Sequence, residues 1–253
     1  MKPQVRKPDT SPSVVLMYHR IGSPLVRSVV RGQYVTPFLL RRQLAAMLAQ
    51  GYRPVTMQEM LSRAEYAGQF AVTFDDGYSS VRQPAYPILA EMGIRATVYV
   101  VGGAVGKTNV WDERIGDRTE TILTADDLRE LSAAGFEIGS HGMAHAHSTD
   151  LSDAELTTEV TESKRVLEDI IGAPVTGFSY PYGEWDARVR DAVIEAGYEY
   201  AVGTGKGILH PSADRFALPR TNVRWNNVPS VLLRKIRAGG VGCLVDEHPT
   251  PNT

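Results

Sequence analysis

The chain has 253 residues, 43% of them apolar, enough for one large domain or two small ones with a substantial core. Its 27 Lys and Arg against 29 Asp and Glu leave a formal charge of −2, which argues against a general polyanion binder such as a nucleic-acid protein. One cysteine, Cys243, excludes an internal disulfide framework, and no apolar run reaches the roughly 18 residues of a membrane-spanning helix.

Residues 1–13 carry Pro3, Pro8 and Pro12 among basic residues and read as a flexible lead-in. No apolar stretch of the signal-peptide kind precedes Val14, which predicts a cytoplasmic protein, or a secreted one whose leader was removed. Val14–Tyr18 reads as the first strand. Thr36 then caps a helix with Pro37 at its first position, and Leu40, Leu44, Met47 and Leu48 form its apolar stripe. Further short apolar runs follow at Phe70–Phe74, Ala96–Val101, Phe136–Gly139, Gly177–Tyr180 and Tyr200–Gly203. Such runs suit strands covered on both faces. Leu218 and Val241–Val245 are weaker candidates. Thr124 and Asp186 read as helix caps, and Ser152 with Glu155 as a capping box for a helix reaching about Ile171. Residues 246–253 read as a flexible tail.

Helix-like segments end repeatedly on a glycine followed by an apolar residue: Gly51-Tyr52, Gly93-Ile94, Gly135-Phe136 and Gly197-Tyr198. Glycine suits the left-handed residue that stops a helix. One helix and one strand per unit means repeated βα units and a parallel sheet, either open or closed into a barrel. No Gly-x-Gly-x-x-Gly follows the first strand, which disfavours dinucleotide binding. The expectation is a single α/β barrel domain over residues 14–245.

In such barrels chemistry gathers where strands end. His19, Asp75 with Asp76, His141, Tyr182 and Arg220 each stand just past an apolar run. Adjacent carboxylates resist joint ionisation unless a cation or donors compensate them, although Asp-Gly is equally a turn signal. His141 and His145 are four residues apart, a spacing that puts both on one face of a helical turn. With Asp76 they make a two-histidine, one-carboxylate set with room for water, which zinc and other divalent transition metals accept. His147 is a competing neighbour. Trp111, Trp185 and Trp225 could stack on sugar rings, Trp185 lying nearest the rim, and a packing role is equally open to each. Val105–Thr121 reads as an inserted loop beside the groove.

Thr73-Phe74-Asp75-Asp76-Gly77, then Ser140-His141 with His145, then Phe178-Ser179-Tyr180-Pro181-Tyr182-Gly183 resemble the ordered motifs of the polysaccharide deacetylases. That is the NodB-homology group, carbohydrate esterase family 4. The resemblance spans roughly residues 14–225. It implies a distorted (β/α) barrel of about seven strands. It also implies a metal-dependent N- or O-deacetylase, and the expected activity is removal of acetyl groups from an N-acetylated sugar polymer, oligomer or glycan precursor. On this resemblance Asp75 is the base, and Asp76, His141 and His145 hold the metal, Zn2+ first, with Co2+, Ni2+ or Mn2+ as alternatives. The Tyr182 amide helps hold the oxyanion. Pro181, Tyr182 and Trp185 are the candidate substrate-binding residues. Two positions depart from the pattern. The third motif usually begins with Arg; here Ser179 stands there, and Arg220 is the candidate replacement. The acid histidine usually sits near the C-terminus, where His248 has the wrong spacing. Val15-Leu16-Met17-Tyr18-His19 instead resembles the first motif of the biofilm poly-N-acetylglucosamine deacetylases, which gives the acid role to His19. The competing expectations are hydrolysis of another C–N bond on the same fold, such as a cyclic ureide or formamide, and a non-catalytic sugar-binding relative.

Overall fold

A computed structural model describes residues 12–24, 27–63, 67–113, 115–117, 119–205 and 207–239. The expected flexible ends, at 1–13 and 246–253, and the weak strand at Val241–Val245 fall almost wholly outside these residues. Within them, Ser13 pairs with Leu209 in an antiparallel bridge.

The elements run β1 (Val14–Tyr18), β2 (Arg20–Ile21), β3 (Tyr34–Val35), α1 (Pro37–Ala49), β4 (Arg53–Val55), α2 (Met57–Leu61), β5 (Gln69–Phe74), α3 (Ala85–Glu91) and β6 (Thr97–Val100). They continue α4 (Val110–Glu113), α5 (Ala125–Ala133), β7 (Glu137–Ser140), α6 (Asp153–Ile171), β8 (Gly177–Ser179), α7 (Ala187–Glu195), β9 (Tyr200–Val202), β10 (Thr221–Asn222) and α8 (Pro229–Gly239). Seven parallel strands curl in the order β10-β1-β5-β6-β7-β8-β9, with β4 added beside β5. One short segment joins the two ends of this sheet: Leu218 bridges Val202 of β9, and Thr221 pairs with Leu16 of β1.

Local chemistry explains the helices. The side chains of Thr36, Thr124, Ser152 and Asp186 each accept a backbone N–H at a helix start. Gly51, Gly93, Gly135 and Gly197 all have φ between 66° and 86°, the left-handed stop that their recurrence predicts.

The period-two rule divides the strand residues. Even-numbered Val14, Leu16, Tyr18, Phe70, Val72, Phe74, Val98, Val100, Ile138 and Phe178 join helix residues such as Leu44, Leu89, Leu128 and Leu167 in the outer core. Burying each such side chain contributes about 1.5–3 kcal/mol. Odd-numbered Val15, Ala71 and Tyr99, with Val202 and Leu218, form an inner cluster plugged by Met57, Met60 and Leu61 of α2. Because α2 hydrogen-bonds Thr97 and Glu137 at strand starts, the plug fills the N-terminal end of the barrel. The other end is open.

Candidate active site

The same alternation aims the functional groups. His19, Asp75 and His141 continue the inward series of β1, β5 and β7, and Ser179 is the inward residue that ends β8. Asp76 would face outward if the strand continued. Instead the chain turns left-handed at Asp76 (φ 69°) and Gly77 (φ 77°), so two neighbouring carboxylates line one cavity. A Cβ on Gly77 would come 2.9 Å from Val100, which leaves glycine alone at that turn.

Arg220 sits in the segment that joins the sheet ends, and its guanidinium is enclosed. It donates to Asp75 through Nη1–Oδ1 (2.6 Å) and Nη2–Oδ2 (2.7 Å), to Ser179 Oγ (3.0 Å), to Thr73 Oγ1 (3.2 Å) and from Nε to the Gly203 carbonyl (2.9 Å). Every guanidinium donor is used. The small Ser179 leaves room for this fork to arrive from the neighbouring segment. Burial by itself pushes the Asp75 carboxyl up, but Arg220 first, then His141 and His19, outweigh it and hold it below the ordinary carboxylate value.

Asp76, His141 and His145 are buried together, with donor atoms all within 4.8 Å of one another. Both imidazole Nε2 atoms stand 3.2 Å from Asp76 Oδ1. His141 Nδ1 lies 2.7 Å from the Ser179 carbonyl, an acceptor that fixes the hydrogen on Nδ1 and leaves Nε2 with a bare lone pair facing the carboxylate. Lone pairs converging on a carboxylate need a proton or a cation between them, so the donor set fits a divalent metal. The histidine spacing acts through a loop rather than the helical turn that the sequence suggested. Gly142 (φ 77°) and His145 (φ 54°) turn the chain, and Glu159 of α6 accepts the backbone N–H of Met143 and of Ala144, both at 2.9 Å.

These residues line a cavity of about 490 Å³ that also includes His19, Trp111, Asp112 and Tyr182. His19 Nδ1 is buried with no hydrogen-bond partner among the described residues. Burial pushes this imidazole below its ordinary value, with the charges of Asp76 and Asp75 opposing. Trp111 stacks on the His145 ring at 4.7 Å. Tyr182 is left-handed (φ 59°), so Asp76, His145 and Tyr182 are the three non-glycine residues of positive φ among those described, and all three lie at this site. Each such conformation costs about 1–2 kcal/mol, a cost the surroundings must offset. Pro181 is buried beneath the Tyr182 turn. Trp185 stacks on Tyr180 at 5.8 Å and is not among the cavity-lining residues. Trp225 is 52% exposed beside Arg31.

Three features escape sequence reasoning. Asp112, in the cavity wall, meets Arg20, Tyr78 and Asn109 in a buried polar cluster. His147 stacks face to face on the Tyr182 ring at 3.9 Å while bonding Glu184. Glu159 braces the histidine loop, and its signal was present: it falls on the buried stripe Leu156, Val160, Ser163 and Leu167 of α6, where a carboxylate needs a partner.

Residues 64–201, more than half of the chain, match the family model described as polysaccharide deacetylase. The chain belongs to the polysaccharide deacetylase family. The match includes Asp75, Asp76, His141, His145 and Tyr182 and stops short of His19 and Arg220. The chain is similar to YxkH of Bacillus subtilis strain 168, whose name assigns it to the polysaccharide deacetylases, with 27% identity over 87% of this chain and 74% of that protein. It is 23% identical to a poly-beta-1,6-N-acetyl-D-glucosamine N-deacetylase of Staphylococcus aureus over 59% of this chain, and spans about half (52%) of that deacetylase. In fold it resembles the Streptococcus pyogenes deacetylase PplD, solved with acetate: TM-score 0.77, 24% identity, covering 90% of this chain and 99% of that one. No helix among the described residues is long and apolar enough to cross a membrane.

Proposed function

We propose that this polysaccharide deacetylase is a metal-dependent hydrolase that removes acetyl groups from an N-acetylated sugar polymer, oligomer or precursor. The observation that carries the reading is the pairing of two functions in adjacent residues: Asp76 with the two imidazoles, and Asp75 held ionised by Arg220. The names of the related deacetylases agree with it.

An amide is a poor electrophile and an amine a poor leaving group, so the site must treat both ends. A divalent cation on Asp76, His141 and His145, most simply Zn2+, would supply Lewis-acid charge that polarises the acetyl carbonyl and acidifies water. Asp75, kept unprotonated by Arg220, takes the proton of the attacking water. The backbone N–H of Tyr182 donates to the carbonyl oxygen as negative charge builds there, a contact worth about 3 kcal/mol. His19, which lines the same cavity, delivers the proton to the departing nitrogen from its charged form, which the Asp76 and Asp75 carboxylates favour against burial. The products are acetate and a free amino sugar. Trp111, stacked on His145, walls the acetyl end of the cavity.

Acetate release over a panel of acetylated oligosaccharides, with and without a chelator, tests this. Chelator-sensitive release from N-acetylglucosamine oligomers is the expected result. Release of a different product from a cyclic ureide or formamide, with none from the sugars, would move the chain to other C–N bond hydrolysis. Inactivity of a metal-loaded sample on all of them would make it a binding protein.

A further inference from the structure

Among the described residues, the aspartates and arginines lining the cavity are matched internally except at one place. Asp75 is paired with Arg220 and Asp112 with Arg20, both arginines being 1% exposed. Asp76 faces its two imidazoles. Arg224 lines the same cavity, is exposed, and among the described residues its guanidinium meets no carboxylate, carbonyl or hydroxyl. It lies over Gly32, where an added Cβ would stand 3.7 Å from the guanidinium, so this neighbour offers contact but no acceptor. Arg31, next in the chain to Gly32, places its own guanidinium 5.7 Å from the centre of the exposed Trp225 ring. Arg31 and Trp225 do not line the cavity themselves, but each is the chain neighbour of a lining residue, Gly32 and Arg224.

We propose that Arg224, with Arg31 and Trp225 beside it, forms an anion subsite at the cavity mouth. The substrate is then an acetylated glycan with a phosphate or carboxylate close to the acetamido sugar. The inference rests on the deacetylase reading and narrows its substrate class. A guanidinium fork matches phosphate or carboxylate oxygens bidentately, and an indole beside it gives a sugar ring a face to stack on. A neutral polymer would cover Arg224 and offer its charge nothing in return. Since the chain as a whole carries −2, the attraction is local to this mouth rather than a property of the surface.

The test compares kcat/KM of the full-length, zinc-loaded protein on chitotetraose, on chitotetraose 6-phosphate, and on a tetramer with a uronate neighbour. Wild type is expected to favour an acidic substrate by about tenfold. Which acid is favoured separates the phosphate from the carboxylate source. The preference should shrink as salt rises from about 50 to about 500 mM. Arg224→Ala should bring the acidic-to-neutral ratio close to unity, and Arg224→Lys, which keeps the charge and loses the fork, should fall between the two. A wild-type ratio of unity or below, or the same ratio in Arg224→Ala, overturns the proposal while leaving deacetylation in place. If no tetramer is turned over, calorimetry decides without chemistry: in an Asp75→Asn background, Arg224→Ala should weaken binding of the phosphorylated tetramer about tenfold. Equal affinities would overturn the subsite.

Discussion

Removing Arg220 separates its two roles. In Arg220→Ala the buried Asp75 loses both arms of its fork, and Thr73 and Ser179 lose a donor. Breaking a buried pair from one side costs about 3–5 kcal/mol. Asp75, the proposed base, suffers as well. With Arg220 gone, burial, the largest influence on the Asp75 carboxyl, acts upward with less opposition. Each unit by which its pKa exceeds the assay pH lowers the ionised fraction about tenfold. The kcat/KM profile should therefore gain an acid limb, with activity recovering as pH rises. The folded pKa of Asp75 lies below its unfolded value, so the pair's stabilisation is present above pH ~4 and lost as pH falls through the folded pKa. Urea unfolding of wild type and variant should then converge at low pH. Arg220→Lys, which keeps the charge and loses the fork, should fall between the two and protects the test against a variant that does not fold. Adding Ser179→Arg to Arg220→Ala should recover part of the loss, because Ser179 Oγ is 3.4 Å from Asp75 and an arginine there enters the vacated space. An Arg220→Ala protein within about 1 kcal/mol of wild type, with an unchanged pH profile, would show that the fork neither stabilises the fold nor holds Asp75 ionised.

Asp75→Asn should abolish turnover while metal content by mass spectrometry stays near wild type, whereas His141→Ala should lose the cation; full activity of Asp75→Asn removes the base assignment. His19→Ala should slow amide substrates about 100-fold or more and activated esters far less, because an activated leaving group needs no proton. Equal losses on both would end the acid role. Gly142→Ala puts a Cβ 2.5 Å from Glu159 Oε1 at a residue with φ 77°. It should cost about 1–3 kcal/mol in urea unfolding and weaken zinc affinity, since Glu159 braces the loop carrying both histidines. Unchanged zinc affinity would show that the brace does not matter.

The six principal strands and the capped helices were legible because each rests on a local rule: an apolar run covered on both faces, a side-chain cap, a left-handed glycine. β2, β3 and β10 have two residues each and β4 contains Pro54, so neither periodicity nor apolar content marks them. The inward aim of His19, Asp75 and His141 follows from alternation alone. Asp76 breaks alternation and joins them only through its left-handed backbone, a feature of the turn rather than of the residue type. Arg220 stood out as an arginine after a short apolar stretch, but its partner lies 145 positions away and becomes adjacent only when the sheet curls round. The Asp112–Arg20 cluster was hidden for the same reason, and Arg224 because an arginine in a loop carries no signal until the cavity beside it is known.

In the proposed mechanism Asp76, His141 and His145 hold one catalytic cation beside a base that Arg220 keeps ionised. Titrating zinc back into chelator-stripped protein, while following acetate release from an N-acetylglucosamine oligomer, tests it most directly. Release should be negligible in stripped protein, rise in proportion to added zinc, and level off at an equimolar amount. Full acetate release from the stripped protein, or zinc bound at an equimolar amount with no release, would contradict it.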